Sequence, residues 1–84
     1  MTTYNTTISS AWTKLADSSN MELLITWDAA IDIEVAVTAT NVAPTVLGHS
    51  LNRANAITRA VLGTGYVWAR SKGAVAGVTL IVTK

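Results

Sequence analysis

The sequence predicts an all-β fold: a small antiparallel β-sandwich or barrel of six to seven short strands, led by an N-terminal arm. Three observations carry this expectation. Half of the 84 residues are apolar, but that mass is Val, Ala, Ile and Leu, with abundant Thr and no Phe. Such a composition suits pleated sheet. The segment IDIEVAVT alternates cleanly: Ile31, Ile33, Val35 and Val37 point one way, and Asp32, Glu34, Ala36 and Thr38 the other. That is the period of a half-buried strand. Turn signals also recur roughly every eight to twelve residues, as in sandwiches and small barrels.

The elements follow in order. Residues 1–10, MTTYNTTISS, form a polar arm with Tyr4 and Ile8 as its large apolar handles, laid on a neighbouring subunit or folded back on its own domain. Residues 11–84 make a single domain. AWTKLA, Ala11 to Ala16, sets Trp12 and Lys14 opposite Ala11, Thr13 and Leu15; DSSN then marks a turn. MELLITW, Met21 to Trp27, places Leu23, Ile25 and Trp27 on one face, and its short DAA link to IDIEVAVT reads as a hairpin. Residues 39–50 break the pattern around Pro44 and Gly48 and read as a crossover loop between sheets. LNRANAITRAVL fits both helical and strand spacing; a strand from about Ala56 to Leu62 is preferred, as an antiparallel partner for YVWARS across a GTG turn. Lys72 to Gly77 is a loop, and VTLIVT, Val78 to Thr83, closes the chain with Val78, Leu80 and Val82 on one face.

A chain this short buries only about 60–65% of its unfolded surface, and small folds compensate with disulfides, metals or association. Cysteine is absent and His49 is the one histidine, so thiolate sites and multi-histidine sites are excluded. Association remains. Low charge, 13% of residues, points the same way. The charges are also segregated. Residues 1–42 hold Lys14 with Asp17, Glu22, Asp28, Asp32 and Glu34; residues 43–84 hold Arg53, Arg59, Arg70, Lys72 and Lys84 and no acid. The two sets pair either within one fold or between neighbouring copies. Scattered cations without a run are a poor nucleic-acid footprint. The N-terminus lacks a signal-peptide pattern, and the longest nearly apolar stretch, Gly73 to Thr83, is too short to span a bilayer.

Catalytic chemistry finds no foothold in the residues. His49 and Ser50 are adjacent and would point apart on a strand, and no G-x-S-x-G elbow accompanies them. Asp28, Asp32 and Glu34 lack the loop pattern of a calcium site. GTG precedes a strand, not the helix a phosphate loop needs. The chain is expected to be non-enzymatic and without cofactor. What stands out is YVWARS. Val67, Ala69 and Ser71 make an apolar, small core face, yet Tyr66, Trp68 and Arg70 occupy the opposite one. Trp, Tyr and Arg are enriched at interface centres. Trp12, Tyr66, Trp68 and Arg70 are therefore candidate interface residues, beside Tyr4 and Ile8 of the arm; the alternative is a two-sheet core with both strand faces buried.

The order AWTKLAD, LLITW, IEVAVT, an APT loop with GHSL, YVWARS and a closing VTLIVTK resembles small β-sandwich virion proteins of tailed bacteriophages, of the capsid decoration or head-fibre type. The resemblance covers about Ala11 to Lys84 and is one of layout and short words. It implies a structural protein on the capsid surface, made in the host cytoplasm, that cements the head lattice. The implied partners are the major capsid protein and further copies of the chain, as a homotrimer, without nucleic acid or membrane; the Tyr66, Trp68 and Arg70 face would then pack between subunits, with Arg70 or Arg59 meeting Asp32 or Glu34 of the next copy. The alternative is a carbohydrate- or host-surface-binding module of a head fibre or tail, with the surface aromatics holding a glycan.

Overall fold

A computed structural model of the chain describes residues 2–73 and 77–84. It is an all-β molecule of two antiparallel four-stranded sheets packed face to face. The strands are β1 (Thr3–Ile8), β2 (Thr13–Ala16), β3 (Leu24–Thr26), β4 (Ile33–Thr38), β5 (His49–Leu51), β6 (Ile57–Thr58), β7 (Tyr66–Ser71) and β8 (Val78–Thr83), with one helical turn, α1 (Arg59–Leu62), after β6. The first sheet runs β1-β8-β3-β6 and the second β2-β7-β4-β5. The shortest dimension is 18 Å, room for two twisted sheets stacked about 10 Å apart.

The period-two readings place the core. Leu23, Ile25 and Trp27, then Ile33 and Val35, Val67 and Ala69, and Val78, Leu80 and Val82 are all buried between the sheets, joined by Ile8, Leu15, Ala16 and Ile57. Trp27 also donates its indole N–H to the Ile31 carbonyl at 2.9 Å, which closes the DAA corner. The bulge between Lys14 and Ala16 lets Leu15 and its neighbour Ala16 both turn inward.

Of the two placements open to residues 1–10, the chain takes the one folded back on its own domain, as strand β1 paired along its length with β8 from Thr3–Thr83 to Ile8–Val78. Three expectations need correction. Residues 39–50 do not cross between sheets. They form a hairpin connection from β4 to β5 in one sheet, with Val35 opposite His49. Strands β1 and β5 bring the number to eight. The MELLITW and IDIEVAVT segments are not a hairpin, because β3 and β4 lie in different sheets and DAA carries the chain across. Nor is Ala56 to Leu62 one strand: after Ile57–Thr58 the backbone turns helically, with Gly63 N–H bonded to the Arg59 carbonyl at 2.8 Å. GTG therefore links two sheets, and the partners of β7 are β2 and β4. The expected Lys72–Gly77 loop includes residues 74–76, which lie outside the described residues.

Candidate interaction surface

The aromatic face of β7 is the outer face of the second sheet, and register decides what it meets. On β4, Glu34 lies opposite Arg70, Ala36 opposite Trp68 and Thr38 opposite Tyr66. On β2, Lys14 lies opposite Trp68. The result is a continuous layer of contacts within one chain. Arg70 donates from Nε and Nη2 to Glu34 Oε2 at 3.2 and 2.9 Å. The same guanidinium stacks 4.3 Å from the centroid of Trp12. Lys14 sits over the Tyr66 ring at 5.6 Å. The Trp68 indole N–H donates to Thr38 Oγ1 at 2.8 Å, and that hydroxyl donates to the Thr40 carbonyl.

This layer buries what lies beneath it, so Glu34 and Ala36 are each only 8% exposed although they point away from the core. It also ties down the 39–48 connection. Lys14 Nζ donates to Asn41 Oδ1 at 2.9 Å near its start, and the Gly48 N–H donates to Glu34 Oε2 at 3.2 Å at its end. Glycine at 48 is required by close approach. A Cβ there would lie 2.8 Å from Trp12 Cη2 and 2.8 Å from the Val35 carbonyl oxygen.

The placement of the sequence-derived candidates follows directly. Trp12, Tyr66, Trp68, Arg70 and Glu34 do come together, but as an intramolecular layer, and the Arg70–Glu34 pair forms within one chain, not between copies. Arg59 donates to four carbonyls of its own chain. Ile8 is core, 1% exposed. Tyr4 stays at the surface beside Lys84, whose Nζ is 5.6 Å from the ring centroid. Asp32 is exposed at the entry to β4, its carbonyl accepting the Lys72 N–H. Ser50 faces the outer layer and accepts from Lys72 Nζ, so His49 beside it on β5 points to the other side.

Among the exposed apolar residues that the sequence reading did not single out, three lie on the tied-down connection. Val42, Val46 and Leu47 are 64%, 66% and 83% exposed. Val46 and Leu47 border a groove of about 690 Å³ that runs along β5 between Val37, Leu51 and Leu62. Apolar side chains displayed on a segment tied at both ends lose less freedom on contact with a partner. The available signal was VAPTVLG itself, an apolar cluster inside a stretch otherwise marked as loop.

Glu34 anchors the layer electrostatically. The Gly48 N–H hydrogen bond, aided by Arg70, holds its carboxyl below the ordinary value of 4.5, against the opposing effect of burial. A depressed carboxyl stabilises the fold above its unfolded pKa and loses that contribution as pH falls through the lower folded value. Stability is therefore expected to drop below about pH 4.5. Glu34→Gln is expected to be less stable at neutral pH and to show a shallower acid limb, read from urea midpoints between pH 2 and 7. Parallel acid limbs in the two proteins would contradict this role.

Compared with protein-family models, curated proteins and solved structures, the chain has no significant match to any of them.

Proposed function

We propose that this chain is a non-enzymatic structural protein of a tailed-phage virion, a capsid decoration protein that binds the major capsid protein and stabilises the head lattice. The observation that carries the reading is the exposure of Val42, Val46 and Leu47 on one connection, held by Lys14–Asn41 and Gly48–Glu34, with Val46 and Leu47 bordering the β5 groove. Exposed apolar side chains on a tethered connection of a small two-layered module are suited to docking on a larger surface. Individually weak contacts suffice when many copies act on one lattice. The rings of Trp12 and Tyr66 each face a cation of their own chain, which favours this reading over sugar stacking.

The test is the copy number of the chain in purified virions, by quantitative mass spectrometry against the major capsid protein. One copy per capsid subunit, or per few subunits, is the expected result. A handful of copies would move the protein to the tail or a fibre, and none would end the virion reading. On heads stripped of the protein, Leu47→Asp is expected to rebind at least roughly tenfold more weakly than wild type, the scale of a buried apolar anchor.

A further inference from the structure

The four strands of the first sheet, TYNTTI, VTLIVT, LIT and IT, contain no charged residue at any position. The second sheet carries Lys14, Glu34 and Arg70. Exposed sheet edges are normally blunted by charge, proline, bulges or shortness. Three of the four edges here conform. β2 carries Lys14 and a bulge, β5 has three residues, and β6 has two and runs into the helical turn. The remaining edge, β1, is six residues long, unbroken in register and without Pro or charge.

The hydrogen-bond phase of this edge is fixed. Thr2 and Lys84 exchange both backbone bonds, at 2.9 and 3.2 Å. Hydrogen-bonded and non-hydrogen-bonded pairs alternate along an antiparallel ladder. Tyr4, Thr6 and Ile8 therefore bond to β8, and the N–H and C=O groups of Thr3, Asn5 and Thr7 point away from it.

We propose that two copies of the chain pair through β1, antiparallel about a twofold axis at Asn5, with Thr3 of each copy opposite Thr7 of the other. This register brings the outward backbone groups of Thr3, Asn5 and Thr7 into mutual bonding phase. It sets Thr against Thr and Asn against Asn, so no like charges meet. Cross-strand Thr pairs are favourable, and one already forms beside this edge, with Thr3 Oγ1 and Thr83 Oγ1 2.7 Å apart. On the inward side, Tyr4, 36% exposed in the single chain, comes against Thr6 of the second copy. The two four-stranded sheets then become one continuous sheet. Self-complementarity across a twofold selects a second copy over a foreign strand. The resulting symmetry is twofold, not the threefold that the resemblance implies, and the pairing does not depend on the virion reading.

The experiment is sedimentation velocity over a concentration series of the purified chain, with amide hydrogen exchange at the same concentrations. A dimer is expected, with the Thr3, Asn5 and Thr7 amides protected in step with dimer fraction. Asn5→Pro removes an N–H that the single chain does not use, and proline is tolerated at such edge positions. It is expected to keep the wild-type circular dichroism and weaken the dimer roughly 10–100-fold, through one bond lost from each copy. Asn5→Lys, which sets like charges at the twofold, is expected to weaken it as well and decides the matter if the proline variant unfolds. A chain that stays monomeric at high concentration, or a dimer indifferent to Asn5→Lys, overturns the proposal. Dimerisation with those three amides unprotected overturns it too, since the copies would then meet elsewhere.

Discussion

Replacing Arg59 with alanine lowers the unfolding free energy by about 3 kcal/mol, and replacing it with lysine recovers less than half of that loss. The expectation rests on what the guanidinium holds. Nε donates to the Asn20 carbonyl at 2.8 Å and Nη2 to the Asp17 carbonyl at 2.6 Å. Nη1 donates to the carbonyls of Gly63 and Gly65 at 3.1 and 3.2 Å. Residues 17–20 carry the chain from β2 to β3, and residues 63–65 carry it from α1 to β7, so both turns cross between the sheets. One side chain thus fastens two crossovers at the same end of the sandwich. Hydrogen bonds from charged donors contribute about 1.5–3 kcal/mol each, but four from one group are not additive. Partial solvent access reduces the sum further, which leaves about 3 kcal/mol. Lysine supplies one compact ammonium in place of a planar fork and cannot reach both turns. Urea unfolding followed by tryptophan fluorescence measures this; a lowered midpoint with unchanged slope is the expected form. A loss below about 1 kcal/mol would mean that water replaces the guanidinium at those carbonyls.

The core was legible in the sequence because a buried strand face repeats every second residue. Leu23–Ile25–Trp27, Val67–Ala69–Ser71 and Val78–Leu80–Val82 needed only that period, and all nine are buried. The strands that escaped notice are those with little to bury. β1 contributes Ile8 to the core but otherwise reads as polar arm, and β5 is HSL, three residues of which none is buried. Pairing was harder still. Adjacency in sequence suggested hairpins at DAA and GTG, but every one of those segments changes sheet. The same gap explains the site. Glu34 and Arg70 are 36 residues apart, and they meet because β4 and β7 are neighbours in exact cross-strand register. Without strand order, an acid on one half and a cation on the other could pair within one fold or between copies. The aromatics beside them looked exposed for the same reason. The chemistry was visible residue by residue, while the partner of each residue depended on the topology.

Gly65→Ala is expected to be severely destabilising, and comparison with Gly63→Ala shows why. Both glycines have positive φ, +122° at Gly65 and +72° at Gly63. Backbone conformation alone therefore disfavours alanine at both, at about 1–3 kcal/mol each. Their surroundings differ. A Cβ at Gly63 would meet nothing within 4 Å. One at Gly65 would lie 2.8 Å from the Thr38 carbonyl oxygen and 3.0 Å from Val37 Cγ1. Backbone cannot yield as the tip of a flexible side chain can, so β7 would have to part from β4 where Tyr66 pairs with Thr38. That adds an overpacking cost of about 1–3 kcal/mol. It also moves the Gly65 carbonyl that Arg59 holds. A domain of 84 residues has about 4–12 kcal/mol of stability in total. Gly63→Ala should therefore fold with a lowered midpoint, whereas Gly65→Ala should be largely unfolded at 37 °C by circular dichroism. Equal losses in the two variants would assign the whole effect to backbone conformation, and would mean that the contact between this corner and the end of β4 can open at little cost.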